Sequence, residues 1–131
     1  MRPWRRCALR SRVTGIDLTA EYVDTGNALC NWVVLDERAS LQLGSALTMP
    51  FAERSFDANY MLHVGMNIED KERLASEVAR VLRPRSVFGI YDVMRTGPGE
   101  LAFPVPWAMS ADLSAVAKPD RYKTALGKAG I

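Results

Sequence analysis

Cysteine and histidine are nearly absent: Cys7 and Cys30 form no CxxC pair, and the single histidine, His63, lies at ligand spacing from neither. A structural zinc site is thereby excluded, no metal is expected, and the two thiols fit a reducing, cytoplasmic setting. Long apolar runs are lacking as well. Nothing approaches the roughly 18 to 20 residues needed to cross a bilayer, and no apolar core follows the N-terminal arginines as a secretory signal requires. Aromatic residues make up only 8% of the chain and do not interleave with basic ones beyond the N-terminus. A nucleic-acid stacking platform is therefore not expected.

What is present is an ordinary globular composition, 48% hydrophobic and 24% charged over 131 residues. A chain of this size buries roughly two thirds of its unfolded surface in a single core without help from metals or disulfides. Its net charge of +2 hides an uneven distribution. Residues 1–12 hold Arg2, Arg5, Arg6, Arg10 and Arg12 with no acid, leaving twelve basic against fifteen acidic residues in the body. The expectation is a basic tail over 1–12 and one domain over 13–131. Such a tail can be a solvated end, touch nucleic acid or an anionic membrane, or serve as a transit segment.

The body alternates strand and helix signals. Strands are expected at Val13 to Asp17, Ala39 to Gly44, Phe56 to Leu62 and Val87 to Val93, the last so continuously apolar that both its faces should be covered. One helix should follow Thr19 as its cap and run to about Cys30, with Trp32, Val33 and Val34 packing just beyond it. A second begins after Ile68: Leu74, Val78, Val81 and Leu82 form its apolar stripe, Lys71, Glu72, Arg73, Glu77 and Arg80 its polar face, and Pro84 its stop. A third should span Asp120 to Ala129, with Gly130 closing it. The Gly- and Pro-rich stretch from Arg95 to Pro106 reads as a long loop and a candidate lid. The plan is α/β with a largely parallel sheet.

Four segments, in this order, resemble the successive motifs of class I S-adenosylmethionine-dependent methyltransferases of the small-molecule "type 11" kind. They are Val13-Thr14-Gly15-Ile16-Asp17, Gly44 to Phe51 with Ser55-Phe56-Asp57, Glu77 to Pro84, and the strand ending at Asp92. The resemblance covers about residues 12–131 and implies a Rossmann-like three-layer fold. It also implies S-adenosyl-L-methionine as cofactor and a small-molecule methyl acceptor as partner. Asp17 would accept hydrogen bonds from the ribose hydroxyls, an alternative being a helix N-terminal acid favoured by the dipole. Ser45 would meet the adenine, or be a plain loop residue, and Ala46 would offer its N–H. Leu18, Met61 and Leu62 would line the cofactor. His63, whose imidazole ordinarily titrates near neutral pH, is a candidate general base or simply a loop histidine. Met49, Met61, Met66 and Met94 read better as core filler than as a cofactor cage.

The chain departs from the family pattern at its start, where the resemblance calls for a strand and a GxGxG turn. No glycine precedes Gly15, and residues 4–9 could at most be the tail of the helix after that turn. The family's last strands would lie beyond Ile131. The expected fold is thus a partial one, missing the first central strand and the last strands, with two strand pairs left unjoined. It should act as a weak or inactive methyltransferase. A non-catalytic interaction subunit, homo- or hetero-oligomeric through unpaired strand edges, is the alternative. The pattern also places Arg85 where Pro-Gly-Gly would supply a glycine at positive φ.

Overall fold

The computed structural model describes residues 11–131. The expected basic tail, apart from Ser11 and Arg12, lies outside the described residues, as do Cys7 and residues 4–9. Two compact units divide at Ser45/Ala46, where one domain was expected from residue 13 onward.

The first unit holds β1 (Val13–Asp17), α1 (Ala20–Trp32) and β2 (Ala39–Leu43). Its strands are parallel, from Val13 opposite Ala39 to Asp17 opposite Leu43, and α1 supplies the crossover that parallel pairing requires. Two adjacent residues seat the helix on the sheet. Asn27 donates from Nδ2 to the Leu41 carbonyl (2.9 Å) and accepts the Leu41 N–H at Oδ1 (2.8 Å). Gly26 admits the Leu41 side chain, whose Cδ2 would stand 2.8 Å from a Cβ at this position. Trp32, Val33 and Val34 do not pack as expected; they are largely exposed. The helix ends at Trp32, and Val34 takes a left-handed φ of 57° in the turn that follows, from which Leu35 donates its N–H back to the Cys30 carbonyl.

The second unit contains β3 (Phe56–Leu62), α2 (Lys71–Val81), β4 (Leu82–Tyr91) and α3 (Pro119–Ala129). Asp70 caps α2 by accepting the Arg73 N–H at 2.8 Å. The helix stops at Val81, three residues ahead of Pro84, because Arg54 and Ser55 donate their N–H groups to the Arg80 and Val81 carbonyls. Leu82 is then already extended and begins β4 without a loop. A register shift between Phe56 and Ala58 accommodates the Pro84 segment, where Arg85 sits at φ 68°. Beyond it the parallel pairing runs evenly from Ala58/Val87 to Leu62/Tyr91.

Leu74, Ala75, Val78 and Val81 of α2 pack with Tyr122 and Ala125 of α3 to form the core of this unit. Pro119 at the first turn and Gly130 at φ 81° bound α3 as its sequence indicates. The expectation that β4 is covered on both faces fails. Both helices serve the face bearing Met61, while Tyr60, Leu62, Val87 and Tyr91 on the other are more than half exposed. Among the described residues no ladder joins β1 or β2 to β3 or β4, in keeping with two unjoined pairs.

Candidate functional site

Open α/β sheets bind ligands beyond the carboxyl ends of their strands, and in each unit the candidate residues gather at that end. In the first, Asp17 closes β1. Its carbonyl accepts the Gly44 N–H at 2.9 Å, which places Ser45 two residues beyond the same end of β2. Oδ1 of Asp17 accepts the Thr19 N–H at 2.8 Å, so the carboxylate caps α1 in place of the threonine hydroxyl, which makes no capping bond. The second carboxylate oxygen accepts nothing from the described residues, and Asp17 is half-buried. Leu18 beside it is exposed.

In the second unit, the loop from Ala46 to Phe51 is bolted to α2 by charged groups that the helical periodicity places on a solvated face. Glu77 is buried; its Oε2 accepts the Met49 N–H at 2.9 Å, and both its oxygens accept from Arg80. Arg80 goes on to donate to the Phe51 and Met49 carbonyls at 2.7 and 2.9 Å, while Arg73 reaches the Leu47 carbonyl at 2.8 Å. The Arg80 hydrogen bond, outweighing burial, holds the Glu77 carboxyl below the usual carboxylate range.

The turn after β3 is fixed just as firmly. Met61 is buried and Leu62 exposed. His63 takes a left-handed φ of 52°, donates its N–H to the Tyr91 carbonyl at 2.9 Å, and sets its exposed ring edge-on to Tyr91 at 4.9 Å. Gly65 follows because nothing larger fits: an added Cβ would stand 2.5 Å from Asp92 Oδ2 and 2.8 Å from the Tyr122 hydroxyl. Those two groups are themselves hydrogen-bonded at 2.8 Å, and burial pushes the Tyr122 phenol well above its usual range.

Lys71, also expected on a solvated face, is buried instead. Its ammonium donates to the carbonyls of Gly65 (2.9 Å), Ala115 (2.9 Å) and Ile68, and lies 5.2 Å over the Tyr122 ring. Burial lowers its pKa, against the opposing pull of Glu69 and Asp92. Asn67 adds bonds to the Trp107 and Leu113 carbonyls at 3.0 and 3.1 Å. Residues 107–115, just beyond the expected lid of Arg95 to Pro106, are therefore fastened to the β3–α2 turn as a fixed rim. Met49, Met61 and Met66 are core residues, as read from the sequence, and Met94 is half-buried. Among the described residues no three metal-ligating side chains converge, and no helix is long and apolar enough to cross a membrane.

The family model described as a methyltransferase domain matches residues 2–90. The chain belongs to the class I S-adenosylmethionine-dependent methyltransferase family. The O-methyltransferase resE of Aspergillus sclerotiorum is 32% identical to it over 82 residues, covering 63% of this chain and 31% of that protein. The 27-O-demethylrifamycin SV methyltransferase of Amycolatopsis mediterranei is 26% identical, covering 91% and 45%. The chain thus spans less than half the length of these methyltransferases. Among solved structures, the fold matches the cyclase SpnF with a TM-score of 0.78 at 20% identity, covering 92% of this chain and 42% of that one. It also matches geranyl diphosphate C-methyltransferase from Streptomyces coelicolor with a TM-score of 0.75 at 22% identity, covering 90% and 44%. The partial Rossmann-like α/β fold expected from the motifs is the fold observed.

Proposed function

We propose that the chain carries part of the S-adenosyl-L-methionine site of an enzyme that methylates a small-molecule acceptor. The supporting observation is Asp17: one carboxylate oxygen is fixed by the Thr19 N–H and the other is open, at the carboxyl end of a parallel strand. A carboxylate so oriented suits a vicinal diol, which can donate two hydrogen bonds to it. Ser45, at the same end of the same sheet, would face the adenine. For Leu18, Ala46, Met61 and Leu62 the assignment to the cofactor rests on the family pattern. The streptomycete methyltransferase was solved with S-adenosyl-L-homocysteine, the demethylated cofactor. When bound, the cofactor supplies an electrophilic methyl group on a sulfonium. The chain's own residues would hold and align: Glu77 and Arg80 fix the loop from Met49 to Phe51, Lys71 and Asn67 fix the rim, and His63 stands ready to accept a proton from the acceptor.

Titration calorimetry tests this. The chain alone should bind S-adenosyl-L-methionine no more tightly than millimolar, because its sequence holds no GxGxG turn. Joined to the first strand and glycine turn of a methyltransferase relative, it should bind in the micromolar range, and Asp17→Ala should remove most of that binding. Indifference of the joined protein to Asp17→Ala would overturn the reading. The two separate two-stranded sheets favour a second reading, an interaction subunit in the cytoplasm that completes its sheets with a partner chain through their unpaired edges. A chain that stays monomeric by light scattering and binds cofactor when joined speaks for the first reading.

A further inference from the structure

The loop after β4 borders a half-open cleft of about 320 Å³, lined only by residues of the second unit, a volume at the lower end for small organic ligands. Leu101, Phe103, Ala111 and Val116 give it apolar walls, and Arg95, Glu100 and Ser114 are its polar lining. Among the described residues no hydrogen bond or ion pair engages the side chain of Arg95 or of Glu100, although both border one small space. Arg95 is half-buried and thus partly stripped of water without a counter-ion. One wall is set in advance: Arg95 donates its N–H to the Ala117 carbonyl at 2.9 Å, Ala115 donates to Met66, and Asn67 holds Leu113. Ser114 Oγ already accepts from Trp107 Nε1 at 3.2 Å, which leaves its own O–H to donate.

We propose that this cleft binds a small zwitterion with an apolar side chain, an amino-acid-type ligand, with Arg95 and Ser114 taking its carboxylate and Glu100 its ammonium. A simple anion would meet the Glu100 carboxylate, and a simple cation would leave Arg95 uncompensated. Only a ligand with both charges satisfies both groups while its side chain displaces water from Leu101, Phe103 and Val116. Arg95 lies four residues beyond the end of β4, on the side of the sheet where open α/β folds take ligands. The role of this ligand as methyl acceptor rests on the function proposed above; its binding does not.

Ligand-observed saturation-transfer NMR on the full chain, without cofactor, separates the two. The probes are L-phenylalanine, 3-phenylpropionate, which lacks the amine, and phenethylamine, which lacks the carboxylate. Phenylalanine should bind about tenfold or more tightly than either. Arg95→Gln should bring it down to the level of phenethylamine, and Glu100→Gln to that of 3-phenylpropionate, with thermal melts of both variants unchanged. Arg95→Lys, keeping the charge, should retain part of the preference. Equal affinity for the three probes, no binding of phenylalanine, or indifference to Arg95→Gln would each overturn the proposal. Failure of cofactor binding in the calorimetric test leaves it standing.

Discussion

The Lys71 ammonium lies 2.9 Å from the carbonyl of Ala115, a residue 44 positions further along the chain. The same ammonium holds Gly65 and Ile68, so one side chain ties the turn after β3 to the rim of the loop after β4. Lys71→Met keeps the bulk of the stem but removes the donor that three carbonyls share, of which, among the described residues, Gly65 alone retains a second partner, the Ile68 N–H. We expect a loss of ~2–3 kcal/mol in thermal stability, with amide exchange accelerated in residues 107–117 and unchanged in α1. Uniform acceleration throughout the second unit would show instead that Lys71 serves the core as a whole.

Acid should weaken the second unit through Glu77. Its folded carboxyl titrates below its ordinary value of 4.5, chiefly because of Arg80. The unfolded chain therefore takes up this proton first. The stability it contributes is complete above 4.5 and is lost as pH falls toward the folded value. Glu77→Gln should lower stability at neutral pH, by removing the charge that Arg80 and Arg73 pair with, and should flatten the acid side of a urea-melt profile. A profile as steep as that of the unsubstituted chain would assign the acid response to other carboxylates.

The Tyr122 phenol is displaced the other way. Burial and its bond to Asp92 raise its pKa above the ordinary 10.0, so the unfolded chain loses this proton first. Its contribution is present below 10.0 and falls as pH rises past it. Tyr122→Phe should lower the melting temperature at neutral pH and remove part of the alkaline decline. An alkaline decline of unchanged slope would point to other groups.

Arg85 at φ 68° occupies a conformation that costs a side chain ~1–2 kcal/mol relative to glycine. Arg85→Gly should recover part of that, less the added freedom of the unfolded chain, for a net gain of ~1 kcal/mol or less. A lower melting temperature would mean that the exposed arginine makes a compensating contact.

Two glycines should respond oppositely to alanine. At Gly65 the new methyl would collide with the hydrogen-bonded Asp92 and Tyr122 pair, and a loss of ~2–4 kcal/mol is expected. At Gly127, in α3, nothing lies within 4 Å, so Gly127→Ala should stabilise by up to ~0.5–1 kcal/mol. Equal effects in differential scanning would contradict both close-packing arguments.

Local signals carried the parts of the fold that depend on neighbours in sequence. Alternation and apolar runs locate β1 and β3, Gly130 marks the end of α3, and Pro84 before Arg85 foretells a strained turn. The positions of Asp17 and Ser45 at strand ends were legible because strand ends are legible. Lys71 and Glu77 were not, since a charge on an amphipathic helix ordinarily reads as solvent-facing. What buries them is distant in sequence: the carbonyl of Ala115 for one, the N–H of Met49 for the other. The spacing of Arg73, Glu77 and Arg80 at i+4 and i+3 was the available hint of a charge cluster on one helix face. The bare side of β4 escaped because a strand's own composition does not say how many layers cover it.

The rim of the long loop is pinned at Trp107, Leu113 and Ala115, and its root at Arg95, yet among the described residues no hydrogen bond engages the stretch 96–104. Lengthening such a stretch costs only ~0.6 kcal/mol per doubling. Insertions and deletions over descent can therefore reshape the wall that carries Glu100, Leu101 and Phe103 without loosening the wall that carries Ala111, Ser114 and Val116. Side-chain and ammonium preference can thus drift on one part of the loop while Arg95 and Ser114, on the pinned part, keep the carboxylate contact.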